Sequence, residues 1–186
     1  MRQGGAKAVA KRPPDVSRAG LEAAALRYLD RFDCSVSRLR RVLGDRVTKA
    51  QRAGVERASE APVIIEELLA RYQASGLLDD QRFATRFSER QRDRGASRRV
   101  IEQKLRQRGI GAEVLQATSS PAAHSAEGEL DAARAYAKRR RLGQHRQPEA
   151  REAHRRKDLM AMARAGFDYD TASRVLGDSS HADDEL

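Results

Sequence analysis

Leu68-Leu69-Ala70-Arg71-Tyr72-Gln73-Ala74-Ser75-Gly76-Leu77-Leu78-Asp79-Asp80-Gln81-Arg82-Phe83-Ala84 holds the end of one helix and the start of the next. Ile65, Leu68, Leu69 and Tyr72 recur at steps of three and four, the spacing of a helix with one apolar face. Gly76 ends it. A glycine at C′ takes the left-handed conformation without a Cβ clash, and an apolar residue after it folds back on the preceding turn, the Schellman stop. Asp79 or Asp80 then supplies a side-chain oxygen for the free N–H groups of a helix opening near Gln81. The same ending recurs at Arg108-Gly109-Ile110 and Ala165-Gly166-Phe167. A helical unit repeated with one kind of stop predicts an all-α fold. The expected architecture is three tandem three-helix repeats in an elongated, curved, solenoid-like array, which presents a long surface to a partner.

Working outward, residues 1–18 read as a disordered basic tail, broken by Gly4-Gly5 and Pro13-Pro14. Residues 19–77 form the first repeat. Leu21, Ala25, Tyr28, Leu29 and Phe32 mark its first helix, and Leu39, Val42 and Leu43, capped by Asp33 or Ser35, its second. Residues 46–60 lack a clean stripe, either extending that helix or forming an insertion near 44–61. Pro62 suits the first turn of the third helix. Residues 78–120 form the second repeat, with Phe83, Ala84 and Phe87 on one helix, a break at Gly95, and Ser97 capping Val100, Ile101 and Leu105. Residues 121–128 read as a linker and 129–177 as the third repeat, interrupted at Gln144 to Pro148 and closed by a helix capped by Asp168 or Asp170. Residues 178–186 are an acidic tail of net −4.

Composition excludes several classes. Aromatics are 4% and Trp is absent, so small cores of Leu, Ile, Val and Ala are expected in place of one large core. The single Cys34 allows no internal disulfide. His124, His145, His154 and His181 have no zinc-ligand spacing. No apolar run approaches the roughly 20 residues that span a bilayer, so no membrane is expected. Residues 1–14 lack the apolar core of a secretory signal, which makes the cytoplasm the default. Asp79-Asp80 as a metal-binding pair lacks a third ligand nearby, and no phosphate-binding glycine loop occurs. Cys34 reads as a buried or half-buried small residue, and Tyr28, Tyr72, Phe83 and Phe87 as core groups in preference to base-stacking platforms. No catalytic, cofactor-binding or metal-ligating residue is expected, and the chain is expected to be a monomer.

The charge of +10 is segregated. Residues 82–108 carry ten Arg or Lys against three acids and residues 134–157 ten against two, whereas residues 19–81 balance ten with ten. Such blocks suit a polyanion or an acidic protein surface. The candidate partner-binding residues are Arg90, Arg92, Arg94, Arg98 and Arg99 around Gly95, then Lys104, Arg106 and Arg108. The run Lys138, Arg139, Arg140 and Arg141 follows, and then Arg155, Arg156 and Lys157. Guanidinium forks suit carboxylates and phosphates alike, so residue type alone leaves acidic protein side chains and DNA both open.

The stretch Val63 to Ala84, with its Gly, apolar pair, two aspartates and Arg-Phe-Ala, resembles the RecX regulatory proteins. The likeness continues through Ala24-Ala25-Leu26-Arg27-Tyr28-Leu29, Ser35 to Leu43, Ile101 to Ile110 and Ala163-Arg164-Ala165-Gly166-Phe167, spanning roughly 21 to 177. It implies three tandem three-helix repeats and a non-enzymatic inhibitor that lies along the RecA recombinase filament on single-stranded DNA, with weak direct DNA binding besides. Gly44 to Ala61 is longer than the family's usual loop, and the basic tail and the polar linker are not part of the shared pattern. The rival reading is a helix-turn-helix-like DNA-binding regulator that uses its Arg-rich helices on phosphates.

Overall fold

Nine α-helices, two 3₁₀ turns and no strand make up the described residues of the computed structural model, which are 13–118 and 125–177. Most of the expected basic tail, residues 119–124 and the acidic tail lie outside them. The helices fall into three triplets, each with its own apolar cluster. The chain divides between Asp79 and Asp80 into two units, the first triplet in one and the other two together in the second.

In the first unit, α1 (Arg18–Leu29), α2 (Val36–Arg52) and α3 (Ala61–Ala74) enclose Leu21, Ala25, Leu39, Leu43, Leu68 and Leu69. The hydroxyls of Ser17 and Ser35 accept from the amides of Gly20 and Arg38 at 3.2 and 3.1 Å, so both helices start on a side-chain cap. Residues 46–52 continue α2, adding Val47 and Ala50 to the core. A 3₁₀ turn at Glu56–Ser59 buries Ala58. The segment near 44–61 is thus wound onto the core. α1 stops at Leu29, which leaves Phe32 53% exposed against Tyr28 with its ring centroid 4.9 Å away. Arg18–Glu67, Arg40–Glu66 and Arg71–Glu22 tie α1 and α2 to α3. These pairs face solvent, where each contributes little.

Gly76 is left-handed with φ 71°, as its position after α3 requires. The fold-back falls one residue later than the sequence reading places it. Leu78 donates to the Tyr72 carbonyl at 3.0 Å and is buried, whereas the Leu77 side chain is 44% exposed. The two leucines differ because the chain needs one more residue past Gly76 to turn back onto the core.

In the second unit, α4 (Asp80–Asp93), α5 (Arg98–Gln107) and α6 (Ala112–Ala117) surround Phe83, Phe87, Ile101, Leu105, Ile110 and Leu115. Next, α7 (Ala126–Arg140), α8 (Pro148–Arg164) and α9 (Tyr169–Leu176) surround Leu130, Ala133, Met162, Phe167 and Val175. α7 opens at Ala126, capped by Ser125 and so earlier than Glu129. Asp168 caps α9 by accepting from the Thr171 amide at 2.7 Å. Gly109 and Gly166 have φ of 77° and 87°, and the amides of Ile110 and Phe167 reach the carbonyls of Leu105 and Met162. These are the six-residue Schellman closures. Gly95, with φ 69°, closes α4 the same way through Ala96 and Gln91.

Two of these stops also bring triplets together. Gly95 lies so close to α7 that an added Cβ would stand 2.5 Å from the Tyr136 amide nitrogen. At Gly166 an added Cβ would stand 2.5 Å from the Ser97 hydroxyl. That hydroxyl, fully buried, caps α5 by accepting from Val100 N at 3.4 Å and donates to the Ala165 carbonyl at 2.7 Å. Ser97→Ala should therefore lose both a cap and a tertiary bond, about 2 kcal/mol. A urea midpoint equal to that of the unsubstituted chain would contradict this double role.

The interruption at 144–148 is built around an ion pair. Asp158, 1% exposed on α8, accepts from Arg146 Nε and Nη2 at 2.8 and 2.7 Å and from the Gly143 amide at 2.9 Å. The 3₁₀ turn Gly143–His145 is thereby held onto α8.

Candidate partner-binding surface

The predicted cations do not form one field. Arg98 and Arg106 share Glu102, at 3.0 and 3.2 Å, one turn away on either side along α5. The Arg98 amide also donates to both Glu129 oxygens at 3.2 Å, so a carboxylate from α7 sits at the N-terminus of α5. Burial pushes the Glu129 carboxyl above the ordinary glutamate value, and that amide together with Arg92 pulls the other way. Arg98 and Arg99 line an open hollow of ≈ 470 Å³, but Glu129 and Asp168 line it too and offset their charge. Arg108 is held over the Phe87 ring at 4.4 Å and donates to the Lys104 carbonyl at 3.0 Å. Arg155, Arg156 and Lys157 lie in mid-α8, and Arg90, Arg92 and Arg94 at the end of α4; these six line neither this hollow nor the groove beside it.

That second hollow is different. It is an open groove of ≈ 350 Å³ whose floor is Gly95, Ala96, Val100, Ala161, Ala165 and the ring of Tyr136. Around it stand Lys104, Arg139, Arg140 and Arg164, and none of its lining residues is acidic. These cations belong to the last turns of α5, α7 and α8. Helix C-termini carry about half a negative charge each, so cations are favoured there and are held close together where helix ends meet. Among the described residues, none of the four is in an ion pair; Lys104 Nζ donates to Gln91 Oε1 at 2.7 Å. Arg139 lies over the Tyr136 ring at 5.8 Å. Of the predicted run of four, Lys138, Arg139 and Arg140 complete α7 and Arg141 takes the left-handed conformation, with φ 54°.

Of the cations singled out from the sequence, Lys104, Arg139 and Arg140 line this groove; Arg164 and Tyr136, not singled out there for binding, line it too. Arg164 carried a signal, as a cation two residues before a glycine stop. Tyr136 looked like any core aromatic. The Arg146–Asp158 pair carried no signal, because its partners are joined only by the course of the 3₁₀ turn. Among the described residues, no group of three or more His, Cys, Asp or Glu could hold a metal ion, and no helix is long and apolar enough to cross a membrane.

Helical triplets carrying a cationic groove are thus what the described residues of the second unit present. Residues 79–118, which form the α4–α6 triplet, match the family model described as the second three-helix domain of RecX. The regulatory protein RecX of Myxococcus xanthus is 43% identical over 167 residues, covering 89% of each chain. That of Deinococcus radiodurans is 39% identical over 80 residues, 42% of this chain and 38% of the relative. A crystal structure of regulatory protein RecX matches the fold with a TM-score of 0.57 at 21% identity, over 85% of this chain and 72% of that one. The chain belongs to the RecX family of regulatory proteins.

Proposed function

We propose that this protein binds the RecA nucleoprotein filament on single-stranded DNA. There it inhibits the recombinase together with its ATPase and co-protease activities, and so restrains recombination, DNA repair and the SOS response. It acts in the cytoplasm, as a monomer and without catalytic chemistry of its own. The observation that carries this reading is the surplus of cations over acids in the second unit of a RecX-family chain. A recombinase filament offers both carboxylates and phosphates, and the predicted cations from Arg90 to Lys157 are the proposed contacts. Triplets in series suit a partner that is itself a repeat, since each can address a successive subunit.

Added to recombinase filaments, the full chain is expected to suppress ATP hydrolysis at concentrations that leave a naked oligonucleotide of the same length unbound at equal salt. Tight binding to the naked strand, with hydrolysis unaffected, would overturn the reading in favour of a DNA-binding regulator. Binding through six or more phosphates would also weaken by about a thousandfold or more between roughly 50 and 200 mM salt.

A further inference from the structure

We infer that the groove between α5, α7 and α8 takes an acidic segment of the protein partner that carries an aliphatic side chain, and not the DNA strand. This rests on the proposed function and names the chemistry it addresses. Lys104, Arg139, Arg140 and Arg164 converge on it with no acid among its lining residues, whereas the neighbouring hollow has Glu129 and Asp168 beside its arginines. Charge complementarity therefore selects an anionic occupant. The floor selects further. It is made of small groups such as Ala96, Ala161 and Val100 around one half-buried ring, a surface that gains from an apolar side chain. Single-stranded nucleic acid is held without sequence preference on open aromatic faces. Tyr136, the aromatic residue in the groove, is tilted against Phe167 at 5.8 Å and overlain by Arg139. No Asn or Gln lines the groove to read an adenine edge. A carboxylate-rich strand or helix edge with one aliphatic residue satisfies both rim and floor.

The test uses the full chain and three labelled probes: glutamate alternating with leucine, glutamate alternating with serine at equal charge, and oligothymidylate. Two charge variants are compared by fluorescence anisotropy. Arg139→Gln/Arg140→Gln/Arg164→Gln strips the groove. Arg27→Gln/Arg31→Gln/Arg57→Gln removes the same charge from the exposed surface of the first unit. The leucine peptide is expected to bind about tenfold tighter than the serine peptide. The groove variant should lose about tenfold of that affinity, and the control variant less than about threefold. Ala161→Leu keeps every charge and fills the floor; it should abolish the preference for leucine. Equal binding of the two peptides, equal losses in both charge variants, or a loss confined to oligothymidylate would overturn the inference. Inhibition of the recombinase without peptide binding sinks the groove and leaves the proposed function standing. Peptide binding without inhibition sinks the function and leaves the groove.

Discussion

Replacing Arg146 with alanine is expected to destabilise the second unit by about 3–5 kcal/mol, more than replacing its partner Asp158. The two ends of this pair are unequally solvated. The Arg146 side chain is 27% exposed and that of Asp158 is 2% exposed. Without Asp158, the guanidinium can turn to water and the main loss is an acceptor for the Gly143 amide. Without Arg146, a carboxylate remains in the interior with the Gly143 amide to support its charge. Chemical denaturation of both variants measures the asymmetry; equal losses would mean that Asp158 is hydrated in solution.

The same pair sets a pH dependence with opposite signs in the two proteins. In the unsubstituted chain burial opposes ionisation of Asp158. Hydrogen bonds from Arg146 and Gly143 outweigh it and hold the carboxyl below its ordinary value of 3.8. A depressed carboxylate contributes stability above its unfolded pKa and loses it as pH falls through the folded value, so this contribution fades in acid below about pH 4. In Arg146→Ala burial, the largest influence on this carboxyl, is opposed only by the Gly143 amide and the charge of His154, and it raises the carboxyl. Protonation then relieves the penalty, and the stability gap between the two proteins should narrow as pH is lowered from about 7 to 4. A gap constant over that range would rule out a buried charge as its cause.

Gly95→Ala should be the second most damaging single change, costing about 3 kcal/mol or more, while Gly76→Ala costs about 1 kcal/mol. Both glycines end helices in the left-handed region, at φ 69° and 71°, and share that backbone penalty. They differ in what surrounds them. Nothing lies within 4 Å of a Cβ on Gly76. On Gly95 it would meet the Tyr136 nitrogen at 2.5 Å, and the Ala132 oxygen and Tyr136 Cα at 2.9 Å. These are backbone atoms of α7, so no side-chain rotation relieves the clash; the helix must retreat. Thermal or urea unfolding of the two variants side by side compares the costs. Similar midpoints would show that the α4–α5 corner and α7 do not pack this closely in solution.

That contrast marks how far the sequence can be read. The left-handed stops at Gly76, Gly109 and Gly166 follow from local chemistry, because a helix end needs a residue free of the Cβ penalty. Ser35 and Ser97 as caps follow for the same kind of reason. Which stop is open to solvent and which is wedged against another helix depends on residues some 40 or 70 positions away, and nothing in a local pattern reports it. The groove divides similarly. Arg139 and Arg140 stand out as members of a charged run, whereas Arg164 and Tyr136 become part of it only when α7 and α8 are brought beside α5. Residues 46–60 are illegible for another reason: Val47, Ala50 and Ala58 are a thin apolar line among polar neighbours, too sparse to show a stripe yet enough to seat a helix and a turn on the core.

Arg141 closes α7 in a dihedral region where its Cβ is unwelcome, a cost of about 1 kcal/mol that glycine would not incur. The neighbouring Leu142 is buried and its amide reaches back to the Ala137 carbonyl at 2.9 Å, so the anchoring of Leu142 fixes the bend. The backbone at this bend would accept the smallest residue gladly, yet it holds one of the largest. The fourth positive charge of Lys138 to Arg141 consequently leaves the spiral of the other three, fanning the cluster outward where a regular helix would have kept it in step.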